Sequence, residues 1–288
     1  MNRLNGSLGY CRCPVQPLVS SIFLHKGEEP AISGKNGICN VFFAHCNLRC
    51  SFCQNYQISR NLINDESWLS DYDEIVERIS ILLDRDTNML GFVSPTHQVV
   101  QMVEIINRLW SKGYKPTIVY NSNGYDNVEV LKALEGIIDV YLPDFKYSDN
   151  KIGNRYSDVS NYFDVASKAL KEMYRQKGST VITNDDGTIE SGLVVRHLVL
   201  PGYSDDSINI LDFIAHEISP NLHISLMSQY YPTDNLPDND ELNRTLYPQE
   251  YNKVVDRLEE LGFKGWIQEV ESSSFYRPDF SSQHPFKD

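Results

Sequence analysis

An α/β fold with parallel strands is what this sequence predicts. Short apolar runs recur along the chain, stretches of helical periodicity fill the gaps between them, and the runs are apolar on both faces, as strands covered by helices on both sides should be. Alternating strands and helices imply right-handed βαβ units. Six or seven such units can close, or nearly close, into a barrel whose function gathers at the carboxyl ends of the strands. An open doubly wound sheet satisfies the same pattern.

The predicted strands are Ile38–Ala44, Met89–Ser94, Thr117–Asn121, Ile138–Pro143, Leu193–Leu200, His223–Met227 and Gly265–Gln268. The first predicted helix follows Ser70, read as its N-cap, and carries Ile75, Ile79, Leu82 and Leu83 at core-facing spacing. Val99, Val103, Ile106 and Leu109 form a second, closed by Gly113. Further helices fit Val128–Leu134, Tyr162–Arg175, Ser207–Ile218 and Pro248–Leu261, the last ended by Gly262. Two segments, Asn184–Ser191 and Thr233–Arg244, read as long polar loops, of the kind that are either disordered or act as lids.

The chain has 288 residues, 41% hydrophobic and 23% charged, with a net charge of −13. That balance is ordinary for a globular protein and lacks the basic stripe that nucleic acid requires. The most apolar early stretch, Leu18–Leu24, is broken by Ser20 and Ser21 and follows no basic cluster, so no secretory signal is read there. No run is long enough to span a bilayer. The expectation is a cytoplasmic protein with neither membrane nor nucleic acid as partner.

All six cysteines, Cys11, Cys13, Cys39, Cys46, Cys50 and Cys53, lie in the first fifth of the chain. A disulfide framework would spread along a small secreted domain, whereas clustered thiols point to a metal or to catalysis. Cys46-Asn-Leu-Arg-Cys50-Ser-Phe-Cys53 is a C-x3-C-x2-C loop directly after the first predicted strand. Thiolates converging from one short loop suit an iron–sulfur cubane, and three of them leave one iron without a protein ligand. A zinc knot, with a fourth ligand from His45, His25 or an upstream cysteine, or simply buried thiols, would share the spacing. Cys11, Cys13 and Cys39 read as free thiols that pack as small hydrophobes. With no cysteine after Cys53, no C-terminal auxiliary-cluster domain is expected.

The loop, with Phe52 before its third cysteine, resembles the signature of the radical S-adenosylmethionine (SAM) superfamily. The string Asn47-Leu-Arg-Cys-Ser-Phe-Cys-Gln-Asn-Tyr-Gln-Ile-Ser59 resembles the PflX-like branch, iron–sulfur proteins similar to pyruvate formate-lyase activating enzyme. Gly27-Glu-Glu-Pro-Ala-Ile-Ser-Gly34, Ser94-Pro-Thr-His97, Val195-Arg-His-Leu-Val-Leu-Pro-Gly202, Met227-Ser-Gln-Tyr230 and Gly265-Trp-Ile-Gln-Glu269 are similar to that branch too. The resemblance implies an α/β fold, a partial (β/α) barrel of the radical SAM type with parallel strands. Residues 1–37 would be an N-terminal extension packed on a barrel of residues 38–288. It implies a [4Fe–4S] cluster on Cys46, Cys50 and Cys53 and reductive cleavage of SAM to a 5′-deoxyadenosyl radical. That radical abstracts hydrogen from a substrate: a glycyl residue of a partner enzyme, as for activating enzymes, or a small molecule or peptide. A one-electron reductant such as flavodoxin or ferredoxin would be a further partner. A zinc-stabilised binding protein without catalysis is the rival reading.

The resemblance also implies SAM contacts. Ser94 and Thr96 stand where many relatives carry a Gly-Gly-Glu motif, from which this sequence departs. Asn121 and Asn123 match a polar strand-end motif near the SAM carboxylate and ribose. Asp144 and Lys146 resemble a pair whose lysine reaches the SAM carboxylate, a sensible use of a point charge in a dry pocket. Arg196 on a buried strand needs an anionic or hydrogen-bonding partner, and the resemblance makes that partner SAM, while His197 beside it reads as structural. Gln229 would lie near the adenosyl end.

Overall fold

The computed structural model describes residues 3–62, 65, 67–85, 87–234, 236–270, 277–282 and 285–286. In chain order, β1 (Val19–His25) leads into the single-turn α1 (Pro30–Ser33), then β2 (Ile38–Phe43), α2 (Tyr56–Ser59) and α3 (Tyr72–Leu83). Next come β3 (Met89–Val93), α4 (Val99–Ser111), β4 (Thr117–Asn121), α5 (Val128–Ala133) and β5 (Val140–Tyr141). Two consecutive helices, α6 (Asn150–Ser157) and α7 (Tyr162–Lys177), precede β6 (Ile182–Thr183) and β7 (Ile189–Leu198). The chain continues through α8 (Ser204–Glu217), β8 (His223–Met227), α9 (Pro248–Glu260) and β9 (Lys264–Ile267). Among the described residues no helix is long and apolar enough to cross a membrane.

The strands pair in the order β1-β2-β3-β4-β5-β7-β8-β9, with β6 hairpinned onto β7. Strands β2 to β9 along this path are parallel, and β1 runs antiparallel to β2. A doubly wound sheet would reverse its strand order from the centre. Here the order never reverses and the ends do not meet, so the sheet is a partial barrel.

Strand alternation sorts the core into two. Leu90, Phe92, Ile118, Tyr120, Tyr141, Val195 and Leu226 point outward into one large cluster with the helices. Their neighbours Met89, Val119, Val140 and Val194 point into the concavity, where Ile32 of α1 packs among them. α1 thus plugs the floor of the barrel. Pro30 is its first residue, where a missing N–H costs nothing.

Four expectations change. Leu18–Leu24 is largely a strand, β1, so the segment expected as an extension contributes an edge to the sheet. The cap of α3 is Asp71, whose carboxylate accepts from the N–H groups of Asp73 and Glu74, and not Ser70. The polar segment after Thr183 is a tight hairpin, with Asn184 N–H bonded to Thr188 O (2.9 Å), and not a long loop. Thr233–Arg244, apart from Asn235, which lies outside the described residues, is pinned to its surroundings. Thr233 Oγ1 donates to Ser51 O (2.6 Å) and Tyr230 Oη to Leu242 O (2.6 Å).

Candidate functional site

The cysteine loop leaves β2 through His45, whose φ of 67° turns the chain sharply. Cys46 N–H is received by Asn61 Oδ1 (3.1 Å). The loop is then clamped to the carboxyl end of α6. Arg49 N–H donates to Ser157 O (3.2 Å) and Ser51 N–H to Tyr156 O (2.8 Å), so carbonyls that a helix terminus leaves unpaired are used to hold it.

Each cysteine sulfur has a partner. Cys46 Sγ accepts from Leu48 N–H (3.4 Å) and Asn123 Nδ2 (3.3 Å). Cys50 Sγ lies 3.0 Å from Ser157 Oγ, and Cys53 Sγ accepts from Ser59 Oγ (3.3 Å). Burial pushes the thiol of Cys46 up to about 12 and that of Cys50 up to about 11, the latter against the pull of Lys146. Sulfurs supplied with donors, yet too desolvated to ionise alone, suit a cationic iron centre, which deprotonates the thiols it binds. The donor set therefore fits a cluster with three protein ligands.

The three cysteines open onto a cavity of about 670 Å³ at the carboxyl ends of the strands. Ser94, Asn121, Asn123, Asp144, Lys146, Arg196 and Gln229 line it, as does Phe52, whose ring packs among Tyr147, Tyr156 and Tyr230. Ser94 is held in the left-handed region (φ 54°), its N–H bonded to Asn121 O (2.9 Å). Lys146 Nζ donates to Asp144 Oδ2 (2.6 Å). Burial disfavours its charge, but Asp144 and Cys50 outweigh burial and hold its pKa above the usual lysine range. On the far wall, Phe286 packs against His25 at 4.3 Å between ring centroids, and both line the cavity.

Two expected contacts are engaged elsewhere. Thr96 is not among the residues lining the cavity. Its hydroxyl donates to Asp126 Oδ1 (2.8 Å), a buried carboxylate that also accepts from Tyr120 Oη (2.8 Å) and Ser122 Oγ (2.6 Å). Asn123 spends its amide on the cysteine loop, donating to Asn47 Oδ1 (2.7 Å) as well as to Cys46. It steadies the Cys46 sulfur and the start of the cysteine loop. Gln229 is braced by Gln268, which donates to its Oε1 (2.9 Å).

Arg196 meets carboxylates of its own chain. Its Nη1 donates to Glu28 Oε2 (2.7 Å), and its Nε stands 3.7 Å from Glu29 and 3.6 Å from Asp144. Burial works against the guanidinium, and the carboxylates of Glu29, Glu28 and Asp144 more than restore it. His197 points away, its Nδ1 2.7 Å from Phe145 O. The acidic pair, delivered by the turn before α1, was not singled out from sequence; its only mark was the Gly27–Gly34 string. Ser157, Ser59 and Asn61 were missed as well.

A family model of the radical SAM superfamily matches residues 40–214. An uncharacterized protein of Methanocaldococcus jannaschii is 31% identical over 258 residues, covering 87% of this chain and 69% of that protein. Among solved structures, a radical SAM methyltransferase from Sphaerobacter thermophilus shares the fold with a TM-score of 0.56 at 12% identity, over 86% of this chain and 70% of that one. SuiB of Streptococcus suis, solved bound to S-adenosylmethionine, gives 0.54 at 12% identity over 81% of this chain. The present chain spans only 50% of the SuiB chain. With the matched region covering more than half of its length, this chain belongs to the radical SAM superfamily, enzymes that use a [4Fe–4S] cluster and SAM.

Proposed function

We propose that Cys46, Cys50 and Cys53 hold the [4Fe–4S] cluster and that SAM binds in the adjoining cavity. The observation that carries this reading is the convergence of three donor-supplied sulfurs with Lys146 and Asn121 on one cavity. When bound, the cluster and SAM supply one-electron reductive cleavage to methionine and a 5′-deoxyadenosyl radical, which takes hydrogen from a substrate. Lys146 offers a desolvated ammonium to the SAM carboxylate, with Asp144 orienting it. Ser94 and Asn121 offer polar groups to the methionyl and ribose portions. Phe52 and its tyrosine neighbours keep water from the sulfurs.

For the substrate, a glycyl residue of a partner enzyme is the reading suggested by resemblance to activating enzymes. A small molecule or peptide is favoured by one observation: Phe286 and Pro278 add apolar surface to the cavity wall, as the lining of a small-ligand site requires. Anaerobic reconstitution with iron and sulfide, then SAM and dithionite, tests the chemistry. The native chain should release 5′-deoxyadenosine and Cys50→Ala should release none. A loaded native chain that binds SAM but yields no 5′-deoxyadenosine, with glycyl peptides and small amines present, would sink the proposal.

A further inference from the structure

The cavity also presents charged groups to which the proposed function gives no role. Its lower part, beneath the cysteine loop and above the α1 plug, is lined by Glu28, Glu29, Arg196, Ser225 and Trp266. The fixed charges there leave one carboxylate over. Lys146 is committed to Asp144 at 2.6 Å and Arg196 to Glu28 at 2.7 Å. Both Glu28 oxygens are engaged, since the other accepts from Asn40 Nδ2 (3.0 Å). Lys26 also touches the cavity, but as an exposed side chain in water.

Glu29 is the remainder. It is only 7% exposed and lines the cavity. Ser225 shares a hydrogen bond with it, and Arg196 Nε stands 3.7 Å from its Oε1, an ion pair too long for a hydrogen bond. Among the described residues its Oε2 has no hydrogen-bond partner. A buried carboxylate oxygen without a partner is costly, and it is relieved by a proton or by a cation. Burial raises the pKa of Glu29, against the pull of the Arg196 guanidinium. Trp266 and the nearby His25 and Phe286 add ring surface of the sort that suits a cationic nitrogen on an apolar stem.

We propose that Glu29, positioned by Ser225 and Arg196, receives a cationic nitrogen of the substrate at the floor of the chamber. The substrates selected are accordingly ammonium- or guanidinium-bearing. This rests on the reading that the chamber hosts the substrate of the radical reaction.

The test is anaerobic calorimetric titration of the reconstituted protein, saturated with SAM, against agmatine, n-butylammonium, n-butanol and butyrate. Both cations should bind saturably and the neutral and anionic analogues should not. Glu29→Gln should weaken cation binding about tenfold, a difference of about 1.4 kcal/mol. Should that variant fail to fold by circular dichroism, Glu29→Asp, which retracts the carboxylate, should weaken it as well. A cluster-loaded native protein that ignores both cations overturns the cation site, and so does equal binding by the variants. If Glu29→Gln weakens SAM itself and leaves the amines untouched, the carboxylate serves the cofactor and the proposal also falls. Iron and sulfide content of the same preparation separates the two readings: a native chain that cannot load its cluster overturns the proposed function instead.

Discussion

Cys50 shows how single side chains tune this site. Ser157 Oγ stands 3.0 Å from its sulfur and 2.7 Å from Tyr147 Oη, so one hydroxyl links the sulfur to a buried phenol. Hydrogen bonds to cluster sulfurs stabilise the reduced, more negative state and so raise the reduction potential. Ser157→Ala should leave three thiolates and a cluster, but one that is harder to reduce. Electron paramagnetic resonance, followed through a redox titration, should find a lower midpoint. An unchanged midpoint would mean that the hydroxyl donates to Tyr147 alone.

Among elements, the turn after β4 does two jobs. Gly124 has φ 78°, and a Cβ there would press on the backbone carbonyl of Asp144 and the hydroxyl of Tyr162. Gly124→Ala should cost about 1–3 kcal/mol, from left-handed backbone and steric displacement together. It should also weaken SAM binding, because the displaced segment carries Asp144 and Lys146. Thermal unfolding and equilibrium dialysis check the two halves separately. Elements with clean periodicity were legible in the sequence: α4 and α9 read directly, as did the strands whose inward and outward residues are both apolar. α6 was not, because Asn150-Lys-Ile-Gly-Asn-Arg-Tyr-Ser157 has few apolar residues and a glycine in its middle. β1 was hidden by Ser20 and Ser21, which break the alternation. The cysteines and Lys146 could be found because their signals are local, a loop spacing and a strand end. Glu28 and Glu29 could not, since adjacent acids read as a solvated surface until their arginine, 168 positions away, is folded against them.

At the scale of the whole molecule, buried histidines set the acid limit. Desolvation holds His97 and His197 down to about 4, against an ordinary value of 6.5. The unfolded chain therefore takes up their protons first, and stability falls as pH drops from about 6.5 towards 4. The slope is about 1.4 kcal/mol per pH unit for each histidine. Asp206, raised to about 6 mainly by burial, opposes this: its contribution grows as pH falls through 6 towards 3.8. Urea titrations at pH 7 and pH 5 should find the protein weaker in acid, and His197→Gln should show a smaller loss. Equal losses in both would mean that His197 is solvated in the folded state. The Arg196–Glu28 pair also has a consequence for how the chain is made. The plug and the turn before it, which carries both glutamates, are synthesised early, while the arginine that neutralises one of them arrives only with β7, some two-thirds of the way along. Until then the carboxylates stay in water and the floor cannot be sealed at low cost. Closing a loop of that length makes the plug a late event in assembly. A nascent chain stalled before β7 should accordingly hold its first strands around an unplugged base.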